Sequence, residues 1–113
     1  MAWLADFDDM NSLLARCQRA QTQLAAALGD RFEFKSVSGR QGDFGDLEGF
    51  EFNSRQCGGF LHLWSAGNCE FHLVDYVRGV EVIPVTLRMV ATADDVDEVL
   101  GVLSLATANV VAS

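Results

Sequence analysis

Two histidines and three cysteines are the side chains of this sequence best suited to nucleophilic or metal-ligating chemistry, and their spacing limits what they can do. A thiol nucleophile needs a base within hydrogen-bond reach, and His62 or His72 could approach Cys57 or Cys69 only across a β-hairpin. Cys17, Cys57 and Cys69 are an odd count without CxxC spacing, which argues against a disulfide framework and a zinc site. Two imidazoles on neighbouring strands lack a third ligand, so histidines on a sheet surface are the better reading. Gly39, Gly42, Gly45 and Gly49 precede a strand rather than a helix and lack the Lys-Ser or Lys-Thr ending of a phosphate loop. They read as turn residues. The expectation is a binding module rather than an enzyme, with no catalytic residues, no metal and no cofactor.

The acidic residues carry more information. Asp43, Asp46, Glu48 and Glu51 follow one another with no Lys or Arg between them, and Glu70, Asp75 and Glu81 come soon after. The chain holds 16 Asp and Glu against 8 Lys and Arg, a net charge of −8 with a pI near 4.4. Such a field repels nucleic acid and attracts a basic protein. Tyr76 reads as an exposed aromatic anchor, whereas Trp64 fits an interface anchor and the core equally well. The candidate contact residues are therefore Asp43, Asp46, Glu48, Glu51, Glu70, His72, Asp75 and Tyr76.

Positioning these residues requires a folded scaffold, and 113 residues, half of them hydrophobic, suit one domain spanning 1–113. Trp3, Phe7, Met10, Leu14, Cys17, Leu24 and Leu28 recur at helical spacing, broken at Gln21 and closed by Gly29. Asp6, Asp8 and Asp9 fall in the first turns of that helix, where negative charge suits the dipole. Arg31 to Val37 alternates as a strand, Ser38 to Asp46 reads as a loop, and Leu47 to Ser54 resumes strand character with Gly49 as a candidate bulge. Phe60 to Trp64 and Cys69 to Tyr76 form a hairpin around Ser65 to Asn68, and a second turn falls at Arg78-Gly79. In the first of these hairpins Glu70, His72, Val74 and Tyr76 share a face opposite Cys69, Phe71 and Leu73.

Val80 to Met89 is the last strand, with Glu81, Ile83, Val85, Leu87 and Met89 alternating against Val80, Val82, Pro84, Thr86 and Arg88. Pro84 cannot donate to a ladder and marks an edge position or a bulge. Thr92 and Asp95 resemble a capping box ahead of Val96, Val99, Leu100, Leu103 and Ala106 or Thr107. The expected fold is α+β: an N-terminal helix, about five mostly antiparallel strands and a C-terminal helix, with both helices packed on one sheet face. The other face is then partly bare.

From Gly59 to Trp64, through the Ser65 to Cys69 turn, the Glu70 to Asp75 strand, the Gly79-Val80-Glu81 turn and the Thr92 to Leu103 helix, the pattern resembles immunity proteins of the TriTu family. Trp64, Gly67, Cys69 and Asp75 carry the likeness, while Ala66 and Glu70 stand where members often have Glu and Asp. These are small bacterial antitoxins. The resemblance implies stoichiometric neutralisation of the C-terminal domain of a cognate secreted or contact-delivered toxin, a basic nuclease, by a protein that is a monomer or weak dimer when free. A small acidic secretion chaperone acting as a homodimer is the alternative. The N-terminus lacks a basic signal region, and the uncharged Val99 to Ser113 stretch falls short of the roughly 18 apolar residues of a membrane span. A cytoplasmic protein that meets neither membrane nor nucleic acid is expected.

Overall fold

The computed structural model describes residues 9–112, with side chains from Leu13 onward. Trp3, Asp6, Phe7 and Asp8 lie outside the described residues, as do the side chains of Asp9 and Met10. Helix α1 (Asp9–Leu28) lays Leu13, Cys17, Ala20 and Leu24 on the sheet. Leu14, expected inward, is 41% exposed, whereas Leu13 is 4% exposed. Ala20 explains the difference: the stripe passes through this small residue rather than breaking at Gln21, which turns the helix so that Leu13 leads it. Gly29, at φ +84°, ends the helix by donating its N–H to the Ala25 carbonyl at 3.0 Å.

Five strands follow as a meander: β1 (Glu33–Gly42), β2 (Gly45–Asn53), β3 (Cys57–Trp64), β4 (Asn68–Asp75) and β5 (Val80–Met89). Each pairs antiparallel with the next, so spatial order equals chain order. The segment expected as a loop, Ser38 to Asp46, is instead the tip of the β1–β2 hairpin. Gly39 pairs with Leu47 and Gly42 with Gly45 around a turn at Asp43 and Phe44. Asp46 holds this tip, its carboxylate accepting the Gln41 N–H at 3.0 Å and its own N–H reaching Ser65 Oγ at 2.8 Å. The register irregularity lies between Gly39 and Gly42 rather than at Gly49, which pairs regularly with Val37 and His62.

β5 departs from simple alternation. Between Thr86, opposite Phe71, and Glu81, opposite Val74, the strand spends two extra residues around Pro84. Pro84 is thus both on an edge strand and within a bulged segment. The bulge separates Ile83 from Leu87 and Met89: Ile83 packs against the core, while Leu87 and Met89 are exposed.

Helix α2 (Ala93–Ala112) starts with the expected reciprocal cap. Asp95 Oδ2 accepts the Ala91 and Thr92 N–H groups at 2.7 and 3.1 Å, and Thr92 Oγ1 accepts the Asp95 N–H at 3.3 Å. Val96, Val99, Leu100, Leu103 and Thr107 form its buried stripe. Both helices lie on one face of the sheet, over Phe50, Phe52, Leu61, Leu63, Cys69, Phe71 and Leu73, and an Arg19–Asp97 ion pair of 3.9 Å joins them. Burial of each large apolar side chain there contributes about 1.5–3 kcal/mol. Neither helix is long and apolar enough to cross a membrane.

Candidate docking face

The strand register lines up in rows the residues of the sheet face that carries no helix among the described residues, the helix-free face. One row runs Val37, Gly49, His62, Glu70 and Leu87. The next runs Lys35, Glu51, Phe60 and His72, and a third runs Glu33, Asn53, Gly58, Val74 and Glu81. Period-two alternation puts them all on the side opposite Phe50, Leu61 and Phe71.

Small residues make room for large ones on this face. A Cβ at Gly49 would come within 2.6 Å of the Leu61 carbonyl and 2.8 Å of His62 Cδ2, so glycine is required where the imidazole crosses β2. His62 stacks on Phe60 at 4.3 Å with the rings 20° from parallel, and His72 approaches the same phenyl ring at 5.4 Å. Each imidazole also has a carboxylate partner: His62 Nδ1 lies 3.4 Å from Glu70 Oε1, and His72 Nε2 lies 2.9 Å from Glu81 Oε2. Tyr76 donates its hydroxyl to Asn53 Oδ1 over Gly58, where any side chain would collide with both groups. Burial, with Cys57 and then Glu51 nearby, raises the Tyr76 phenol above its ordinary value, so it remains a hydrogen-bond donor at neutral pH. Glu51, Asn53, Phe60, His72, Val74 and Tyr76 surround a shallow depression of about 200 Å³ floored by Gly58 and Gly59.

The expected contact residues separate into three groups. Glu51, Glu70, His72 and Tyr76 lie together on the helix-free face. Asp43 and Asp46 are at the β1–β2 tip, Asp43 exposed and Asp46 bonded to the local backbone. Glu48 and Asp75 are buried on the helix side, because their positions share the parity of Phe50 and Leu73. Glu48 Oε2 pairs with Arg40 at 2.9 Å, and Asp75 Oδ1 accepts the Val77 and Arg78 N–H groups at 3.0 Å each. Those two acids shape strands and a turn and offer no open carboxylate. Glu81 joins the face through His72, and Phe60 is its central ring; the Gly58-Phe60-His62 alternation was the signal for the latter.

The thiols lie apart from the imidazoles. Cys57 and Cys69 point to the helix side and His62 and His72 to the other, so the sheet separates each possible pair. Burial, outweighing the opposing pull of Arg88, raises Cys69 to about 12, and burial with Glu48 nearby raises Cys17 to about 11. Protonated and enclosed, these thiols pack as small apolar groups. Trp64 sits at the rim of the open face. Its ring packs edge-on against Phe44 at 5.9 Å and touches the space beside Gly42, and its indole N–H is buried without a partner among the described residues. Comparison of the chain with protein-family models, curated proteins and solved structures returns no match.

Proposed function

We propose that this chain is a TriTu-like immunity protein, a cytoplasmic antitoxin that binds a basic toxin domain through the helix-free sheet face and performs no chemistry of its own. The observation that carries this reading is the composition of that face. Glu51 stands beside Phe60 and near Tyr76, and Glu70 and Glu81 hold the two imidazoles next to that ring. Lys35 is the one Lys or Arg in these rows, an arrangement of aromatic side chains among acids on a five-stranded sheet. Interfaces gain contact energy chiefly from buried aromatic residues, while complementary charge raises the association rate and excludes wrong partners. The net charge of −8 supports the same class of partner, a protein whose own surface is basic because it handles nucleic acid.

The apolar margin of β5 favours a second reading. Val85, Leu87 and Met89 are exposed together along this edge strand, as a homodimeric secretion chaperone would require. Co-purification with the product of the neighbouring upstream gene, followed by native mass, separates the two. A stable one-to-one heterodimer with a basic domain supports the immunity protein; a homodimer that ignores that product supports the chaperone.

A further inference from the structure

Nearly every carboxylate that is less than fully exposed has a partner within the chain. Asp46 holds the Gln41 N–H, Glu48 holds Arg40, Glu70 faces His62, Asp75 caps a turn, and Asp95 caps α2. Glu51 is the exception: among the described residues it is the one half-buried acid with no hydrogen bond or ion pair. Lys35 stands opposite it in the β1–β2 register without forming an ion pair. A carboxylate with no partner inside the chain keeps its acceptor positions open to a cation from outside.

The surroundings of Glu51 define that cation. Phe60 lies directly across from it in the β2–β3 register. One side of the phenyl ring is occupied by His62, the space over Gly58 is taken by the Asn53–Tyr76 bridge, and the ring borders the depression between that bridge and His72. The depression therefore combines a carboxylate, an aromatic wall and the Asn53–Tyr76 bridge in about 200 Å³. His72, the remaining polar wall, is drawn toward Glu81 at 2.9 Å. A planar guanidinium matches this set better than an ammonium, because it can lie against a ring while donating paired hydrogen bonds to a carboxylate.

We propose that the depression is an arginine seat: one arginine side chain of the partner protein stacks on Phe60 and donates to Glu51. This inference rests on the docking reading above and assigns its specificity contact. The test is an NMR titration of the isolated protein with the peptide Gly-Arg-Gly and with its citrulline counterpart, which keeps the shape and removes the charge. The expected result is saturable shifts centred on Glu51, Phe60 and Tyr76. Affinity for the arginine peptide should drop about tenfold or more in Glu51→Gln and with citrulline, as loss of a charge-assisted contact predicts. Phe60→Leu, which retains an apolar side chain, should weaken binding while preserving the amide spectrum of the sheet. Equal binding by Glu51→Gln, equal binding of citrulline, shifts centred on Asp43, or no saturable shift overturns the seat. The co-purification result is independent: a seat that binds arginine in a chain that captures no toxin removes the immunity reading alone, and the converse removes the seat alone.

Discussion

The two faces of this sheet use similar residue types for different ends. Under the helices, Phe50, Phe52, Leu61 and Leu73 are fully buried, and the charged residues that reach that side are tied to partners at its margin, as in Arg40–Glu48. On the open side, Phe60 has two imidazoles beside it that each face a carboxylate, and Glu51 makes no hydrogen bond or ion pair with the described residues. A phenyl ring in the first setting stabilises the fold through displaced water and close packing; in the second it borders an open depression. Stability should therefore depend on one face and recognition on the other.

The largest expected effect tests that division directly. Phe50→Ala should cost about 3–5 kcal/mol, since a fully buried ring is lost and two helices limit collapse of the cavity. Phe60→Ala, made on a surface that solvent can refill, should cost less than half as much in the same urea titration. Equal losses would mean that the open face is as much a core as the covered one.

Alkaline pH probes the covered face next. The folded thiols keep their protons to about 11 for Cys17 and about 12 for Cys69, whereas ordinary thiols ionise at 9.0. The stability they contribute is thus complete below pH 9 and declines as pH rises, at about 1.4 kcal/mol per unit for each thiol. By pH 10 the pair should have removed about 3 kcal/mol. Replacing Cys69 with Ala should flatten the stability profile between pH 8 and 10 by about half of that amount. An unchanged slope would show that the thiols are reached by water in the native state.

Charge reversal sharpens the comparison from the other side. Glu51→Lys or Glu70→Lys should each weaken a basic partner by about tenfold at low salt, with the difference shrinking as salt is added. Asp94→Lys, an exposed acid at the start of α2, should leave affinity unchanged. If all three reversals act alike, net charge attracts the partner and no particular face receives it.

Much of this division was legible in the residues. The α2 stripe, its Thr92–Asp95 cap and the Glu70-His72-Val74-Tyr76 face follow from period and capping chemistry, which local sequence encodes well. Glycine hid the β1–β2 hairpin, because Gly39, Gly42 and Gly45 leave no alternation to read even though they pair. The β5 bulges hid the separation of Ile83 from Leu87, since a register shift depends on the partner strand. Glu48 and Asp75 looked like open carboxylates in a run of acids, although parity with Phe50 and Leu73 already placed them inward. Charge density outweighed periodicity there. The unpaired state of Glu51 depends on three strands at once and lies beyond what spacing along one strand can reveal.

The smallest expected effect concerns the counterpart of Glu51 on the covered side. Thr107 is fully buried in the α2 stripe, and its Oγ1 has no hydrogen-bond partner among the described residues. An orphan hydroxyl in an apolar setting costs free energy that a methyl of similar shape does not. Thr107→Val should therefore raise stability by about 1 kcal/mol, read as a higher urea midpoint at constant slope. It should leave partner and peptide affinity unchanged, because the residue lies on the far side of the sheet from Glu51. Glu51→Gln should do the reverse, changing affinity while moving the midpoint little. Should Thr107→Val instead destabilise, the hydroxyl has a partner in solution, and the unpaired acid on the open face loses its claim to be different in kind from the unpaired hydroxyl beneath the helices.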